Sequence, residues 1–171
     1  NHENYIAQAI EGFLSQKANF KYEILIGEDC TSDKTGVIVK QYAEQYPDLI
    51  RMISSPNNVG SIRNQVRVFK EAKGKYIAFC DGDDYWTQPD KLQKQVDFLE
   101  ANADYIMCCH YSNVIDESGN LLYAADKLEP LEYCYEDLLV GKRSETRIAS
   151  MVFKNTNEIK SINDKEWYYK T

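Results

Sequence analysis

A short hydrophobic run that ends in carboxylates is the part of this sequence whose residue types could do chemistry. Residues 75–80 are mostly apolar, follow Gly74 and predict a buried strand. Asp81, Asp83 and Asp84 come directly after it. These acids repel one another, and a cation would relieve the repulsion. Because Mg²⁺ and Mn²⁺ take one or two carboxylates together with water and phosphate oxygens, the motif predicts a site for a divalent cation and a nucleotide diphosphate.

The residues around the acids support this interpretation over a structural turn. Asp and Gly also occupy turns for purely conformational reasons, and an Asp-x-Asp pattern alone is a weak signal. Here Tyr85 and Trp86 follow, and Pro89 with Asp90 marks the start of a helix. Since ligands bind at the carboxyl ends of strands in open α/β sheets, this order of features favours a site.

Composition limits the classes of protein that the chain can belong to. Its 171 residues predict one domain with a substantial core, and 43% hydrophobic with 27% charged residues is ordinary for a globular protein. No apolar run is long enough to span a bilayer, and no basic leader opens the sequence. A net charge of -7 argues against a nucleic-acid partner. An acidic protein can still bind an anionic nucleotide through a divalent cation.

The five cysteines predict a reducing, cytoplasmic environment rather than a disulfide framework. Their number is odd and their spacing fits no metal site, which argues against zinc or a cysteine nucleophile. We expect Cys80, Cys108 and Cys109 to act as small buried hydrophobic residues. His2 and His110 have no nucleophile near them in sequence and are interpreted as structural.

Alternating helices and strands predict an α/β fold with a mostly parallel sheet. A second acidic pair, Glu28 and Asp29, ends another predicted strand. The chain opens with a helix that lacks a preceding strand and closes with a polar stretch, so we expect a fragment trimmed at both ends. The predicted helices are 3–16, 33–46, 61–73, 90–102 and about 132–140, and the predicted strands are 22–27, 50–53, 75–80, 104–115, 121–124 and 147–153.

Four motifs in register resemble those of the family-2 glycosyltransferases. They are the helix opening at residues 1–6, the strand and acids of 23–35, the Asn-Val-Gly-x-x-Arg stretch of 58–63, and residues 74–84. These are inverting enzymes of the GT-A fold that include bacterial polysaccharide and antigen-synthesis transferases. The resemblance implies a GT-A (Rossmann-like) sheet flanked by helices, with a nucleotide-binding half over 1–90 and an acceptor-side half over 91–171.

The resemblance also implies roles at the nucleotide. Asp29 would read the base of the donor, with Glu28 where the family usually has another Asp. Arg63 would approach the nucleotide. Asp81 would face the ribose or a water on the metal, and Asp83 would hold the metal, Mn²⁺ or Mg²⁺, that bridges the diphosphate.

Two further residues are expected near the sugar. Asp84 caps the following turn or orients Asp83, or it contacts the sugar directly. Trp86 either stacks on a sugar ring or packs under the turn, since aromatic side chains bury well.

The activity implied is transfer of a sugar from a nucleotide-diphosphate donor to a hydroxyl of a saccharide or lipid-linked saccharide. It places the protein in the cytoplasm, and peripheral association of the parent protein with the inner membrane is compatible with it. The family's catalytic base lies beyond the strand equivalent to 147–153. Asp164 and Glu166 follow here in no recognisable motif, so the base is unassigned and expected outside the chain.

Three alternatives remain open at this stage. A sugar nucleotidyltransferase also binds its nucleotide on an α/β fold, but it usually needs a Gly-rich basic loop near the first strand. The sequence shows no such loop. A phosphatase with an Asp nucleophile expects a hydroxyl residue soon after the second Asp, where this chain has Asp84 and Tyr85. A nucleotide-binding or scaffold fragment without turnover is the non-enzymatic alternative.

Overall fold

The computed structural model describes residues 1–126, 128–134, 136–137, 140 and 147–157. Helices and strands alternate through most of this length, as the sequence predicts. In chain order the elements are α1 (Ile6–Leu14), β1 (Ile24–Glu28), α2 (Thr35–Gln45), β2 (Ile50–Ser54), α3 (Ser61–Glu71), β3 (Tyr76–Ala78), α4 (Lys91–Ala101), β4 (Met107–Cys108), β5 (Val114–Ile115), β6 (Leu121–Tyr123), a 3₁₀ turn (Ile148–Ser150) and β7 (Val152–Lys154).

The strands pair in three groups. β1 and β2 are parallel, with Ile24 opposite Ile50. β7 lies between β3 and β4 and is antiparallel to both, so β3 and β4 run in the same direction as each other. β5 and β6 form a separate antiparallel hairpin. The α/β class is confirmed. Antiparallel pairing also occurs, between β7 and its two neighbours and within the separate β5–β6 hairpin.

Two predicted strands are shorter in the structure. The strand predicted over 104–115 is divided into β4 and β5, because β4 pairs with β7 through Met107 and Cys108 whereas β5 pairs with β6. The strand predicted over 147–153 begins as a 3₁₀ turn and becomes β7 at Val152. The helix predicted over 132–140 lies partly outside the described residues. The tail from 158 onward, which includes Asp164 and Glu166, lies wholly outside them.

Two hydrophobic clusters form the core. The first core joins α1, α2, β1 and β2 through buried aliphatic side chains that include Ile10 and Val39. The second core joins α4 to β7 through Leu92, Leu99 and Val152. Burying each such side chain contributes about 1.5–3 kcal/mol. The two cores thus hold the two groups of paired strands that carry the acidic residues.

A buried glutamine connects the two cores. Gln16 follows α1, and its side-chain amide nitrogen donates to the Gln88 carbonyl at 2.9 Å. Its side-chain oxygen accepts the Leu92 N–H at 3.1 Å, one of the amides at the start of α4 that no residue of the same helix can bond. The start of α4 is therefore capped from the end of α1.

Lys91 is the first residue of α4, and its whole side chain, including the ammonium group, is buried. Only 5% of the residue is exposed. The Nζ atom donates to Gln95 Oε1 at 2.7 Å and lies 4.2 Å from the centre of the Trp86 ring. Because burial disfavours the charged form, the pKa of Lys91 falls from its ordinary value of 10.5 to about 8.

The buried ammonium predicts a pH dependence of stability. Between about pH 8 and 10.5 the unfolded chain holds a proton at Lys91 that the folded protein has lost. The contribution of this group to the free energy of unfolding therefore rises with pH across that window, by on the order of 3 kcal/mol. Lys91→Met should abolish the rise, as measured by urea unfolding from pH 7.5 to 10.5.

Lys94→Met is the matched control, since Lys94 lies one turn further along α4 and is largely exposed. In Lys94→Met the free energy of unfolding should still rise with pH, because this variant retains the buried Lys91. A constant difference between wild type and Lys91→Met would contradict the assignment of a buried, weakly basic Lys91.

Candidate functional site

The carboxyl end of β1 carries two acids with different surroundings. The Glu28 side chain is buried, and its Oε1 atom accepts the Thr31 N–H at 2.7 Å and the Thr31 hydroxyl at 2.8 Å. Glu28 therefore holds the loop that follows β1 through Thr31.

Asp29 is half-buried and holds the loop before α3. Its two carboxylate oxygens accept the N–H groups of Val59 and Gly60, both at 2.9 Å. Gly60 has a φ of +86°, a conformation that favours glycine, and lies directly before the first residue of α3. Asp29 thus fixes the Asn-Val-Gly loop at the sheet edge, and each oxygen retains a further lone pair for a ligand.

An arginine of α3 ties the ends of β1 and β2 together. Arg67 donates to the Ser54 carbonyl at 2.7 Å, to the Glu28 carbonyl at 3.2 Å and to Asn64 Oδ1 at 2.6 Å. Asn64 in turn donates to the Gly27 carbonyl at 3.0 Å. Arg63, the residue singled out from the sequence, is exposed in the first turn of α3, beside the loop that Asp29 holds.

The acidic turn after β3 is compact and self-repelling. The Asp84 N–H donates to the Asp81 carbonyl at 3.2 Å, which closes the turn. Burial raises the pKa of Asp81, and the Asp83 carboxylate raises it further. Burial likewise raises the pKa of Asp84, with contributions from Asp83 and Asp81, while Arg147 acts in the opposite direction.

His2 joins this acidic turn to the loop after β1. Its backbone N–H donates to the Thr35 hydroxyl at 2.7 Å, at the start of α2. Its ring lies against Gly82, where a Cβ would come within 2.5 Å of the His2 Nδ1 atom. His2 therefore contacts both the start of the helix that follows β1 and the turn that follows β3. His2 had been interpreted only as a structural residue, and no local motif marks its position there.

Cys80 and Trp86, on either side of the acidic turn, lie in surroundings that favour structural roles. Burial, together with the nearby acids, raises the pKa of Cys80 to about 12, so its thiol stays protonated and unreactive at neutral pH. The Trp86 indole N–H donates to the Ala149 carbonyl at 2.8 Å, and its ring packs edge-on against Phe13. These contacts favour the packing alternative for Trp86 over sugar stacking.

The donor atoms at this edge suit a hard divalent cation. Asp81 and Asp83 offer carboxylate oxygens. Burial first, and the neighbouring carboxylates second, raise the pKa of both Asp81 and Asp84. Among the described residues, no three His, Cys, Asp or Glu side chains converge as a complete metal cage. A cation that takes only one or two protein carboxylates does not need such a cage.

The fold is that of an α/β protein whose acidic residues follow the carboxyl ends of β1 and β3. The sequence of residues 1–147 matches the family model for Glycosyl transferase family 2. The chain belongs to this family, which confirms the resemblance drawn from its motifs.

One relative in sequence is the uncharacterized protein Mb1547 of Mycobacterium bovis, 42% identical over 119 residues. The match covers 70% of this chain and 34% of that protein, so the chain spans about a third of the relative's length.

Solved structures with the same fold include S. aureus TarS 1–349 in complex with UDP, with a TM-score of 0.61 and 19% identity. That match covers 99% of this chain and 52% of TarS 1–349. The mannosyltransferase PcManGT of Pyrobaculum calidifontis, in complex with GDP-Man and Mn²⁺, matches with a TM-score of 0.56 and 18% identity over 66% of this chain and 34% of its own. In the part of the chain that our structure describes, no helix combines the length and apolarity needed to cross a bilayer.

The two hydrogen bonds of Asp29 lead to a prediction about stability. Asn at this position offers one acceptor oxygen, and its NH₂ group would face the second backbone N–H. Because hydrogen bonds to a charged acceptor are among the stronger ones, Asp29→Asn should lower the free energy of unfolding by about 1–3 kcal/mol. Urea unfolding without nucleotide measures this change.

Asp48→Asn serves as the control, since Asp48 is exposed and lies before β2, at the opposite end of that strand. It should leave the unfolding midpoint unchanged. If Asp29→Asn were as stable as wild type, the carboxylate would not be holding the loop.

Proposed function

We propose that the protein transfers a sugar from a nucleotide-diphosphate sugar to an acceptor hydroxyl, with divalent-metal assistance and inversion at the anomeric carbon. The observation that carries the proposal is the contact of His2 with both Thr35, at the start of the helix after β1, and Gly82 in the acidic turn after β3. Membership of Glycosyl transferase family 2 supports the reaction class. The complexes of TarS with UDP and of PcManGT with GDP-Man and Mn²⁺ support the donor class and the metal.

In this proposal Asp29, which follows β1, and the start of α3 bind the nucleoside. Asp29 uses the lone pairs left by its two amide hydrogen bonds to accept from the base, and the loop that it fixes forms the wall of the pocket. Arg63 lies beside this loop and approaches the nucleotide from the first turn of α3.

The acidic turn binds the diphosphate end of the donor. Asp83 and Asp81 would hold Mn²⁺ or Mg²⁺, and Asp84 contacts the sugar or orients Asp83. A bound divalent cation supplies positive charge against the negative charge that develops on the leaving nucleoside diphosphate. The general base that takes the proton of the acceptor hydroxyl is unassigned.

The acceptor and the location are also part of the proposal. A saccharide or lipid-linked saccharide fits the family, and a cytoplasmic site of action fits the five free thiols. The alternative without turnover predicts nucleotide binding but no transfer, so an assay of sugar transfer by the full-length protein separates the two.

Asp83→Ala tests the metal site. In wild type, at least one nucleoside diphosphate from a panel of bases should raise the melting temperature more with Mn²⁺ than without it. Saturating ligand at 100 times its dissociation constant adds about 2.7 kcal/mol of stability. The substitution should remove the metal-dependent part of this effect. The ligand-free variant should melt at the wild-type temperature or above it, because it loses one of three mutually repelling carboxylates.

Asp48→Ala is the matched control, because it removes an exposed carboxylate far from the acidic turn. Its response to nucleotide and Mn²⁺ should equal that of wild type. Survival of the full Mn²⁺-dependent stabilisation in Asp83→Ala would disprove the metal assignment.

A further inference from the structure

Both ends of the acidic turn are bonded to the three residues before β7. Because β7 is antiparallel to β3, the residues that precede β7 lie beside those that follow β3. Ahead of the turn, the Phe79 N–H donates to the Met151 carbonyl at 3.2 Å. After the turn, the Trp86 indole N–H donates to the Ala149 carbonyl at 2.8 Å. The position of the three residues before β7 therefore sets the position of the carboxylates between these two bonds.

A buried glutamine of α4 bonds to the middle one of these three residues. Gln95 Nε2 donates to the Ser150 carbonyl at 2.8 Å, and to the Cys108 carbonyl at the end of β4 at 3.2 Å. Gln95 and Ser150 are both buried. One side-chain amide thus joins the segment before β7 to the end of β4.

The ammonium group of Lys91 contacts both side chains that hold this segment. Its Nζ atom donates to Gln95 Oε1 at 2.7 Å and lies 4.2 Å from the centre of the Trp86 ring. An ammonium group can only donate hydrogen bonds, and a backbone carbonyl can only accept them. Gln95 satisfies both partners only with its oxygen toward Lys91 and its NH₂ group toward the carbonyls. The cation therefore fixes the orientation of the amide that holds Ser150.

The burial of this cation calls for a role other than stability. Removing an ammonium group from water is costly, and an apolar side chain of similar volume is often as stable or more stable at such a position. Lys91 is 5% exposed, and its hydrogen bond and ring contact both go to side chains that hold the segment before β7. Such an arrangement fixes geometry.

We propose that Lys91 is a positioning residue for the carboxylates of the acidic turn. It fixes Gln95 and the Trp86 ring, these hold the three residues before β7, and those residues hold both ends of the turn. The inference rests on the proposed function, because it presumes that Asp81 and Asp83 bind a divalent cation together with a nucleoside diphosphate. Lys91 acts through its neighbours and is not a ligand of the metal or the nucleotide.

Calorimetric titration of wild type, Lys91→Met, Gln95→Met and the double variant tests the proposal at neutral pH, with and without Mn²⁺. The ligand is the nucleoside diphosphate that binds wild type in the panel. Partners that orient metal ligands typically contribute about 10- to 100-fold in affinity, and we expect each single substitution to weaken the Mn²⁺-dependent binding by about tenfold. Binding without Mn²⁺ should change less.

The double variant shows whether the two residues act in one network. Its loss of Mn²⁺-dependent affinity should be well below the product of the two single effects, because residues of one hydrogen-bond network are not additive. Lys91→Gln keeps a donor at this position and should retain part of the affinity. Trp86→Phe keeps the ring and removes only the bond to Ala149, so it should weaken the same binding with the buried charge left in place.

Leu99→Ala is the matched control for general loss of stability. Leu99 lies on the same helix, is 1% exposed in the second core, and has an aliphatic side chain that forms no hydrogen bond. The substitution should lower the melting temperature by creating a cavity. At a temperature where the ligand-free melting curves show every variant folded, it should bind the diphosphate with Mn²⁺ like wild type.

The outcomes separate this proposal from the proposed function. If wild type binds no nucleoside diphosphate with Mn²⁺, both fail. If Asp83→Ala removes the Mn²⁺-dependent binding but Lys91→Met and Gln95→Met bind like wild type, the role of Lys91 is refuted and the proposed function stands. Two independent, fully multiplicative effects would also refute it, as would an equal loss of affinity in Leu99→Ala.

Discussion

The antiparallel insertion of β7 between β3 and β4 is the constraint on which the acidic edge depends. A parallel strand at this place would deliver its own carboxyl end to the edge and leave its amino end on the far side. β7 instead brings the residues that precede it to the edge where β3 ends. Two stretches distant in sequence, 79–84 and 147–151, therefore become neighbours, and α4 packs against β7 to hold them there.

The local features of the fold could be read from the sequence because they arise from neighbouring residues. The periodicity of Ile6, Ala9 and Ile10 predicts α1, and the apolar run of 75–80 with its terminal acids predicts β3 and the turn. The break between β4 and β5 was missed, although Ser112 and Asn113, which lie between them, are residue types that favour turns. It depends on where partner strands are available, and β7 offers β4 a partner only at Met107 and Cys108.

The positions of the acidic residues were predictable, but most of their partners were not. Asp29 was recognised by its place after a strand, whereas its bonds to Val59 and Gly60 span about thirty residues. The contact that favours packing over sugar stacking for Trp86 is with Ala149, 63 residues away. Lys91 resembles any lysine in a first helical turn, and its burial follows only from how α4 packs. Contacts across such separations depend on the assembled fold, and no local pattern encodes them.

The Gln16 bridge has a consequence for how the chain folds. The hydrogen bond from Leu92 to Gln16 closes a loop of 76 residues, so the start of α4 gains its cap only after α1 and the strands between them have come together. Contacts of such long sequence separation slow folding, since the entropy of loop closure is lost before the contact forms. They also couple distant elements, so that α1 and α4 should open together in hydrogen exchange and not as independent units.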